Sequence, residues 1–224
     1  MTSPLLVPSL GCLLIMAAAA LGSAATRPEE SRDARPALLI VDIQNFYFPG
    51  GRLVLQGCES ASLKARSLLD MFRAKKWPVI HVRHLSKGVA ESALETDPQW
   101  GFQANVVPLP GEPVVTKREI NAFRGTKLQE LLQGLKVRRL VIVGMQTHMC
   151  LEAAVRAAAD FGFEVTVAED ACATRDLEYK GVKVPAEAVH LSTLATLKGN
   201  YAEIVTTEDL LKKSDSPGPS GFAP

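Results

Sequence analysis

Residues 139–154 read RLVIVGMQTHMCLEAA, and this stretch decides the fold because a strand pattern passes directly into a helix pattern. The apolar, β-rich run at 139–144 is typical of a strand that is buried on both faces of a sheet. Beyond it, Thr147 is a candidate helix N-cap, and from Cys150 onward small apolar residues recur at the 3.6-residue spacing of a packed helix. A buried strand that leads into a packed helix is the unit from which parallel α/β sheets are built.

The same alternation continues on both sides of this stretch. Further strands are predicted at 37–43, 78–82, 113–116, 164–168 and 202–206, and helices at 60–75, 126–133, 148–161, 186–197 and 207–213. The pattern therefore predicts a parallel sheet covered by helices on both faces. The connection at 84–111 is longer than most loops, and we expect either a functional segment or a surface excursion with a short helix near 89–95.

Length and composition narrow the class of protein. The chain has 224 residues, which suffices for one α/β domain but not for two of ordinary size. Its 25 basic and 24 acidic side chains nearly balance, and 47% of its residues are hydrophobic, which excludes a disordered chain and a basic nucleic-acid-binding protein. Neither GxGxxG nor GxxxxGK[ST] occurs, so the phosphate-binding loops of common nucleotide-binding α/β proteins are missing.

The first 25 residues have the features of a secretory signal peptide. They carry no charge, contain an apolar stretch at 10–21, and end in small residues, Ser23 and Ala25, suited to cleavage before Thr26. An uncleaved membrane anchor is the alternative, because the apolar run is long. We expect a signal peptide at 1–25, a flexible linker at 26–36, the folded domain at 37–213 and a disordered tail at 214–224. Such a protein would be secreted or otherwise extracytoplasmic, with no stable membrane association once the signal is cleaved.

Three reactive side chains follow three different predicted strands. In open α/β sheets ligands bind at the carboxyl ends of the strands, which is where Asp42, Lys117 and Cys150 are placed. A thiol in the first helical turn faces the positive end of the helix dipole, which predicts a depressed pKa for Cys150 and a nucleophilic thiolate. Taken singly, each residue also has an ordinary interpretation: a turn aspartate, a solvated lysine and a packed thiol.

Four segments together resemble the isochorismatase-like cysteine hydrolases, whose members include nicotinamidases and N-carbamoylsarcosine amidohydrolases. The segments, in the family's order and spacing, are 39–45 (LIVDIQN), 79–84 (VIHVRH), 110–126 (PGEPVVTKREINAFRGT) and 143–154 (VGMQTHMCLEAA). The resemblance covers about 37–211. It implies a three-layer α/β/α fold with a six-stranded, mostly parallel sheet, and a catalytic triad of Asp42, Lys117 and Cys150.

The resemblance also implies a reaction. It predicts hydrolysis of a C–N bond in a small amide or ureido substrate through a thioester on Cys150. Backbone N–H groups would hold the oxyanion: that of Cys150, which the first helical turn supplies, and that of Gln146, which in the family follows a cis peptide bond, here Met145–Gln146. We expect a small-molecule substrate and a homo-oligomer, and neither a nucleic-acid partner nor a cofactor.

Aromatic residues near these motifs are candidates for the walls of a substrate pocket. The candidates are Phe46, Phe48, Trp100 and Phe123. The same residues suit a hydrophobic core equally well, because pockets and cores use the same apolar side chains. Arg118 and Arg124 are candidates for binding a substrate carboxylate, although arginines are more often simply exposed.

No bound metal is expected. Nicotinamidases carry an Asp-x-His metal-binding set after the second strand, whereas this chain has His81-Val-Arg-His84 there. Side chains three residues apart in a strand point to opposite faces, so these two histidines are poorly placed to share an ion. His148 and His190 are interpreted as structural or surface residues of helices.

Two other functions remain open at this stage. An isochorismatase-type enol ether hydrolase needs no cysteine nucleophile, and an exported thiol-based redox or sensor protein would use Cys150 without its charged partners. Cys58 and Cys172 are weaker thiol candidates than Cys150. Asp170 is a rival to Asp42, but by resemblance to the family it is a structural residue.

Overall fold

The computed structural model describes residues 35–215. The strands in this part of the chain are β1 (Ala37–Val41), β2 (Val79–His84), β3 (Val114–Lys117), β4 (Arg139–Met145), β5 (Glu164–Ala173), β6 (Leu177–Tyr179), β7 (Val182–Val184) and β8 (Glu203–Val205). Six of them form one sheet in the order β3-β2-β1-β4-β5-β8, and all neighbouring strands in it are parallel. The predicted α/β class and six-stranded sheet are therefore confirmed, with every described strand of that sheet parallel.

Helices cover this sheet. In the described part they are α1 (Cys58–Ala74), α2 (Ala93–Thr96), α3 (Leu128–Gly134), α4 (Glu152–Asp160), α5 (Ala186–Leu197) and α6 (Thr207–Asp215), and a π-helical turn at Thr147–Leu151 precedes α4. None of these helices is long and apolar enough to cross a membrane. The predicted signal peptide at 1–25, most of the linker at 26–36 and most of the tail at 214–224 lie outside the described residues.

Alternate residues of the central strand β1 enter two separate apolar layers. Leu39 and Val41 pack in the layer that contains α3, α4 and α5. Leu38 and Ile40 pack in the layer that contains α1 and α6. This two-residue alternation follows from the pleat of a strand, and burial of both faces explains why β1 has a continuous apolar sequence. The predicted three-layer arrangement is the result.

The structure differs from the sequence-based prediction in a few elements. Strand β5 reaches Ala173 rather than ending at 168, because its pairing with β4 shifts register and resumes at Gly144. Periodicity does not predict the β6–β7 hairpin, whose strands have only three residues each. Lys180 and Gly181 both have positive φ in its turn, as in type I′ hairpin turns. The short helix expected near 89–95 is α2, which begins at Ala93.

Gly144 allows β4 to lie against the end of β1. Its φ is +135°, and an added Cβ would lie 1.9 Å from the backbone oxygen of Val41, its register partner. Both the backbone conformation and the close approach therefore require glycine at this position. This contact sets the spacing of the two central strands just before the chain leaves the sheet.

Replacing Gly144 by alanine should destabilise the protein by more than about 3 kcal/mol, because the added methyl group clashes with immovable backbone. The matched control is Gly134→Ala, at the end of α3, where an added Cβ meets nothing within 4 Å. That change should leave the free energy of unfolding within about 1 kcal/mol of the original, because alanine is the better helix former. Urea unfolding of both variants checks this, and equal stabilities would contradict it.

Candidate active site

The carboxyl edge of the sheet brings together three side chains from three parts of the chain. Asp42 directly follows β1, Lys117 ends β3, and Cys150 lies in the π-helical turn after β4. The Nζ atom of Lys117 lies 2.7 Å from Oδ2 of Asp42 and 3.2 Å from Sγ of Cys150. Strands β1 and β4 are neighbours at the point where strand order reverses, which is where open α/β sheets bind ligands.

Asp42 turns the chain away from β1. Its φ of +53° is in the left-handed region, which aspartate tolerates better than most residues. Its N–H still donates to the Val82 carbonyl at 3.0 Å, which keeps this turn attached to β2. The residue is fully buried, and no hydrogen-bond donor among the described residues is aligned on either carboxylate oxygen. The close contact with Lys117 is thus an ion pair, and the carboxylate retains room to accept a proton.

Lys117 is the cation of the site, and its side chain has no exposed surface. Burial by itself would lower the pKa of the ammonium, but the Asp42 carboxylate and the Cys150 sulfur raise that pKa above its usual value. A buried ammonium so close to a carboxylate remains charged. The site therefore contains a permanent positive charge beside the thiol.

Cys150 does not have the depressed pKa that the sequence predicts. Burial raises the pKa of its thiol, the nearby Asp42 charge raises it further, and Lys117 only partly opposes them. The prediction from the helix dipole was wrong even though Cys150 lies in the first turn of the helical segment that begins at Thr147. A buried sulfur loses the water that would stabilise a thiolate, and this cost exceeds the favourable effect of the dipole. The resting site accordingly holds a neutral thiol beside the Asp42–Lys117 ion pair.

The turn that carries Cys150 is attached to neighbouring elements at both flanks. It follows a cis peptide bond between Met145 and Gln146, as predicted. Thr147 Oγ1 lies 3.0 Å from Nδ1 of His190 on α5, and Nδ1 of His148 lies 2.6 Å from the Thr174 hydroxyl. Both histidines thus have the structural role expected of them. The backbone N–H groups of Gln146 and Cys150 belong to this turn, and their role as an oxyanion hole stays a prediction.

Two further side chains lie near the site, Tyr47 and Arg175, of which sequence reasoning missed Arg175. The Gln146 amide nitrogen lies 3.3 Å from the Tyr47 hydroxyl, and Nε of Arg175 donates to the Gln146 amide oxygen at 3.1 Å. Burial raises the pKa of the Tyr47 hydroxyl, and the Asp42 carboxylate raises it further. Tyr47 belongs to the aromatic run after Asp42, but no sequence pattern marks Arg175.

Donor atoms of Asp42, His84 and Cys150 lie within 4.8 Å of one another, a spacing compatible with a metal ion. The Lys117 ammonium, however, is within 3.2 Å of all three residues, since Nδ1 of His84 also lies 3.2 Å from its Nζ. A second cation there would be repelled, so this donor set does not fit a metal. His81 lies elsewhere: its Nε2 is 2.8 Å from Glu112 Oε2.

The four candidate pocket aromatics are all buried, in different layers. Phe46, Phe48 and Trp100 pack in the layer of α1, and Phe123 packs in the layer of α4. The Phe123 ring centroid lies 6.4 Å from that of Phe163, which packs against the same apolar layer, and 5.3 Å from that of the exposed Phe161. Their role as pocket walls stays a prediction.

The remaining candidates have structural contacts. Nη1 of Arg118 donates to the carbonyls of Ser86 and Val89 at 3.3 and 2.9 Å, whereas Arg124 is exposed. Asp170 caps α6, because its Oδ1 accepts from the N–H and hydroxyl of Thr207 at 2.7 and 2.8 Å. Cys58 and Cys172 are buried and unpaired.

A cleft of about 1120 Å³ opens at the opposite, amino edge of the sheet. Its lining includes Trp77, Phe161 and Phe163 and the basic residues Lys76, Lys136 and Arg138. None of the three candidate catalytic residues borders it. The chemistry therefore points to the carboxyl edge, where charged groups and the thiol converge, rather than to this cleft.

Comparison with known proteins is consistent with this geometry. Residues 36–209 match the model of the isochorismatase domain. The isochorismatase family protein YddQ of Bacillus subtilis is 42% identical over 177 residues, which cover 79% of this chain and 98% of YddQ. The maleamate amidohydrolase of Pseudomonas putida is 27% identical, with 80% of this chain and 86% of that enzyme covered. A crystal structure of an isochorismatase hydrolase from Oleispira antarctica superimposes with a TM-score of 0.76 and 40% sequence identity. The superposition covers 80% of this chain and 97% of the Oleispira chain.

Replacing Lys117 by methionine should destabilise the protein by about 3–5 kcal/mol, because it leaves the Asp42 carboxylate buried without its counter-ion. Adding Asp42→Asn to Lys117→Met should restore part of that loss, because the remaining polar group is then uncharged. Urea unfolding of the single and double variants measures both effects. A double variant that loses the sum of the two single losses would mean that the ion pair does not couple these residues.

Proposed function

The chain belongs to the isochorismatase family, and we propose that it is a cysteine hydrolase that cleaves the C–N bond of a small amide or ureido compound. The observation that carries the proposal is the Lys117 ammonium, which contacts both a carboxylate and a thiol in a buried site. A thiol with an adjacent base and a fixed cation is the arrangement needed for nucleophilic catalysis.

The first half-reaction forms a thioester. The Cys150 sulfur attacks the carbonyl carbon while its proton passes to the Asp42 carboxylate, which is why a resting thiol with a raised pKa is compatible with reactivity. The carbonyl oxygen becomes an oxyanion, for which the N–H groups of Gln146 and Cys150 are the proposed donors. The C–N bond then breaks, and the leaving nitrogen takes the proton from Asp42.

The second half-reaction releases the acid. A water molecule gives a proton to Asp42 and attacks the thioester carbonyl, and the C–S bond breaks. The departing thiolate then recovers the proton from Asp42, so that the site returns to its starting state. Throughout, Lys117 stabilises whichever of its two partners is negatively charged.

Arg175 supports a preference for substrates that carry a carboxylate. Its half-buried guanidinium donates through Nε to Gln146, and its Nη1 donates to the Asp176 carbonyl at 3.3 Å, so the group is held beside the catalytic turn. Guanidinium groups bind carboxylates through paired, charge-assisted hydrogen bonds. The relationship to a maleamate amidohydrolase agrees with this substrate class.

Cys150→Ala should abolish ammonia release from a panel of small amides and ureides, because no other group replaces the nucleophile. Cys172→Ala is the matched control, since this second buried thiol lacks the Asp42 and Lys117 partners, and it should retain turnover. Mass spectrometry of intact protein during turnover should detect an acyl adduct that Cys150→Ala lacks. If Cys150→Ala retains full activity, or if isochorismate is turned over and no amide is, the proposal is wrong.

Arg175→Gln should raise KM for a carboxylate-bearing amide such as maleamate by roughly 10- to 100-fold, from the loss of a charged hydrogen bond. The change should have little effect on KM for an uncharged amide of similar size. Arg124→Gln, at an exposed arginine, is the control and should leave the KM values for both amides unchanged. Equal effects of Arg175→Gln on charged and uncharged amides would argue against a carboxylate-binding role.

A further inference from the structure

His84 lies at the centre of the candidate active site. It is the last residue of β2 and is registered directly opposite Lys117 of β3. Strand β2 lies between β3 and β1, so the long Lys117 side chain must pass over the end of β2 to reach Asp42. The His84 ring stands at that crossing, with Nδ1 3.2 Å from the Lys117 Nζ.

The position of His84 is fixed by a side chain from the turn that follows β1. Its N–H donates to the amide oxygen of Gln44 at 2.7 Å, and its carbonyl accepts from the Gln44 amide nitrogen at 3.1 Å. Gln44 is fully buried and comes two residues after Asp42. The same turn that places the carboxylate therefore also clamps the backbone that carries the imidazole.

Hydrogen-bond accounting assigns the state of the ring. The ammonium of Lys117 has three N–H groups and three hydrogen-bond acceptors, which are Cys150 Sγ at 3.2 Å, the Glu119 carbonyl at 3.1 Å and His84 Nδ1 at 3.2 Å. Asp42 Oδ2, at 2.7 Å, forms the ion pair. An ammonium offers only donors, so an Nδ1 beside it has to accept. The ring is therefore neutral, with its proton on Nε2.

We propose that His84 is a positioning residue that works only in its neutral form: its Nδ1 accepts from the Lys117 ammonium and directs it toward Asp42 and Cys150. Protonation of the ring removes that acceptor and places a second cation 3.2 Å from the first. The ammonium is then displaced from the triad, and turnover stops. This assignment rests on the proposed cysteine hydrolase function only for its effect on turnover.

The charged groups that face His84 come from every element packed around it. They are Lys117 on β3, Glu119 just after β3 and Asp42 after β1, and the neutral thiol of Cys150 in the π-helical turn is the other titratable group beside the ring. Burial and then the Lys117 charge lower the pKa of His84, and the charges of Asp42 and Glu119 oppose them without reversing the direction. The neutral form is thus retained to lower pH than for an ordinary histidine, and it is lost when the pH falls through the lowered pKa.

The first test needs no substrate. In the uniformly ¹⁵N-labelled protein, imidazole NMR should show His84 as the Nε2–H tautomer with a titration midpoint below that of an ordinary histidine. Only four histidines are present, and His84→Asn identifies the signals. Lys117→Met should move the midpoint of His84 to higher pH, because the neighbouring positive charge is gone, and should leave that of His190 in place. An Nδ1–H tautomer, or a His84 titration midpoint that is the same with and without Lys117→Met, would overturn the proposal.

The second test uses turnover and does not depend on whether Lys117→Met folds. Asparagine can place its amide oxygen where Nδ1 lies but cannot be protonated, whereas leucine offers no acceptor. His84→Leu should lower kcat by about tenfold or more at pH 7.5 through misplacement of the ammonium, and His84→Asn should recover most of that loss. The acid limb of kcat/KM should follow the His84 midpoint in the unmodified protein and in His190→Asn, and should move to lower pH in His84→Asn.

The outcomes separate this inference from the proposed function. If His84→Asn keeps the original acid limb, or performs no better than His84→Leu, the ring has no positioning role even though amides are hydrolysed. If the tautomer and the Lys117-dependent midpoint are as expected but no amide or ureide is turned over, the positioning contact stands and the proposed reaction is wrong. Circular dichroism at each pH confirms that the variants being compared are folded.

Discussion

A lysine ammonium with no contact with solvent is the constraint on which the carboxyl edge of this protein depends. Removing an ammonium and a carboxylate from water costs several kcal/mol for each ion, and only close, well-placed partners offset that cost. Lys117 has such partners because Asp42 lies 2.7 Å from its Nζ and further acceptors surround it. The chain therefore cannot fold correctly without also assembling the charged part of the site.

That requirement links the site to the register of the sheet. Asp42 follows β1, Lys117 ends β3, and the strand between them ends in His84. A slip of one residue in β3 would turn the lysine to the other face of the sheet, away from Asp42. The buried amide of Gln44 holds the β1 and β2 ends together, and Gly144 allows β4 to approach Val41 closely enough for the turn after it to reach the same place.

The electrostatics of the site favour the protonated thiol of Cys150 over its thiolate. Burial raises the pKa of Cys150, so in the proposed reaction the sulfur starts as a thiol and loses its proton as it attacks. The neighbouring carboxylate accepts that proton, and the ammonium compensates the negative charge wherever it moves between sulfur and oxygen. The buried Asp42–Lys117 ion pair, whose formation requires removing two charges from water, would therefore also redistribute charge during the proposed reaction.

The sequence by itself determined the class of fold, because each strand buried on both faces leaves a continuous apolar run and each packed helix leaves a 3.6-residue period. It also predicted that Asp42, Lys117 and Cys150 would meet, because each follows such a run and parallel strands all end at one edge, whereas their roles as a triad are what the resemblance to the family implies. Its motifs further indicated the family. The number and length of the strands were less well predicted. The strands of the β6–β7 hairpin are too short to show a two-residue hydrophobic period, and the extension of β5 depends on a register shift against β4.

Only the tertiary structure decided the chemistry around these residues. The pKa of Cys150 follows from burial and from a carboxylate more than a hundred residues away in the chain, neither of which local sequence contains. His84 looked like a departure from a metal-binding motif, and its contact with Lys117 exists because β2 and β3 pair in one particular register. Arg175 contacts Gln146, at the start of the turn that carries Cys150, and no sequence pattern predicts this contact. The hydrophobic pattern of the sequence indicates which residues are buried and where strands end. Charge interactions depend on distances between side chains, and only the folded chain defines those distances.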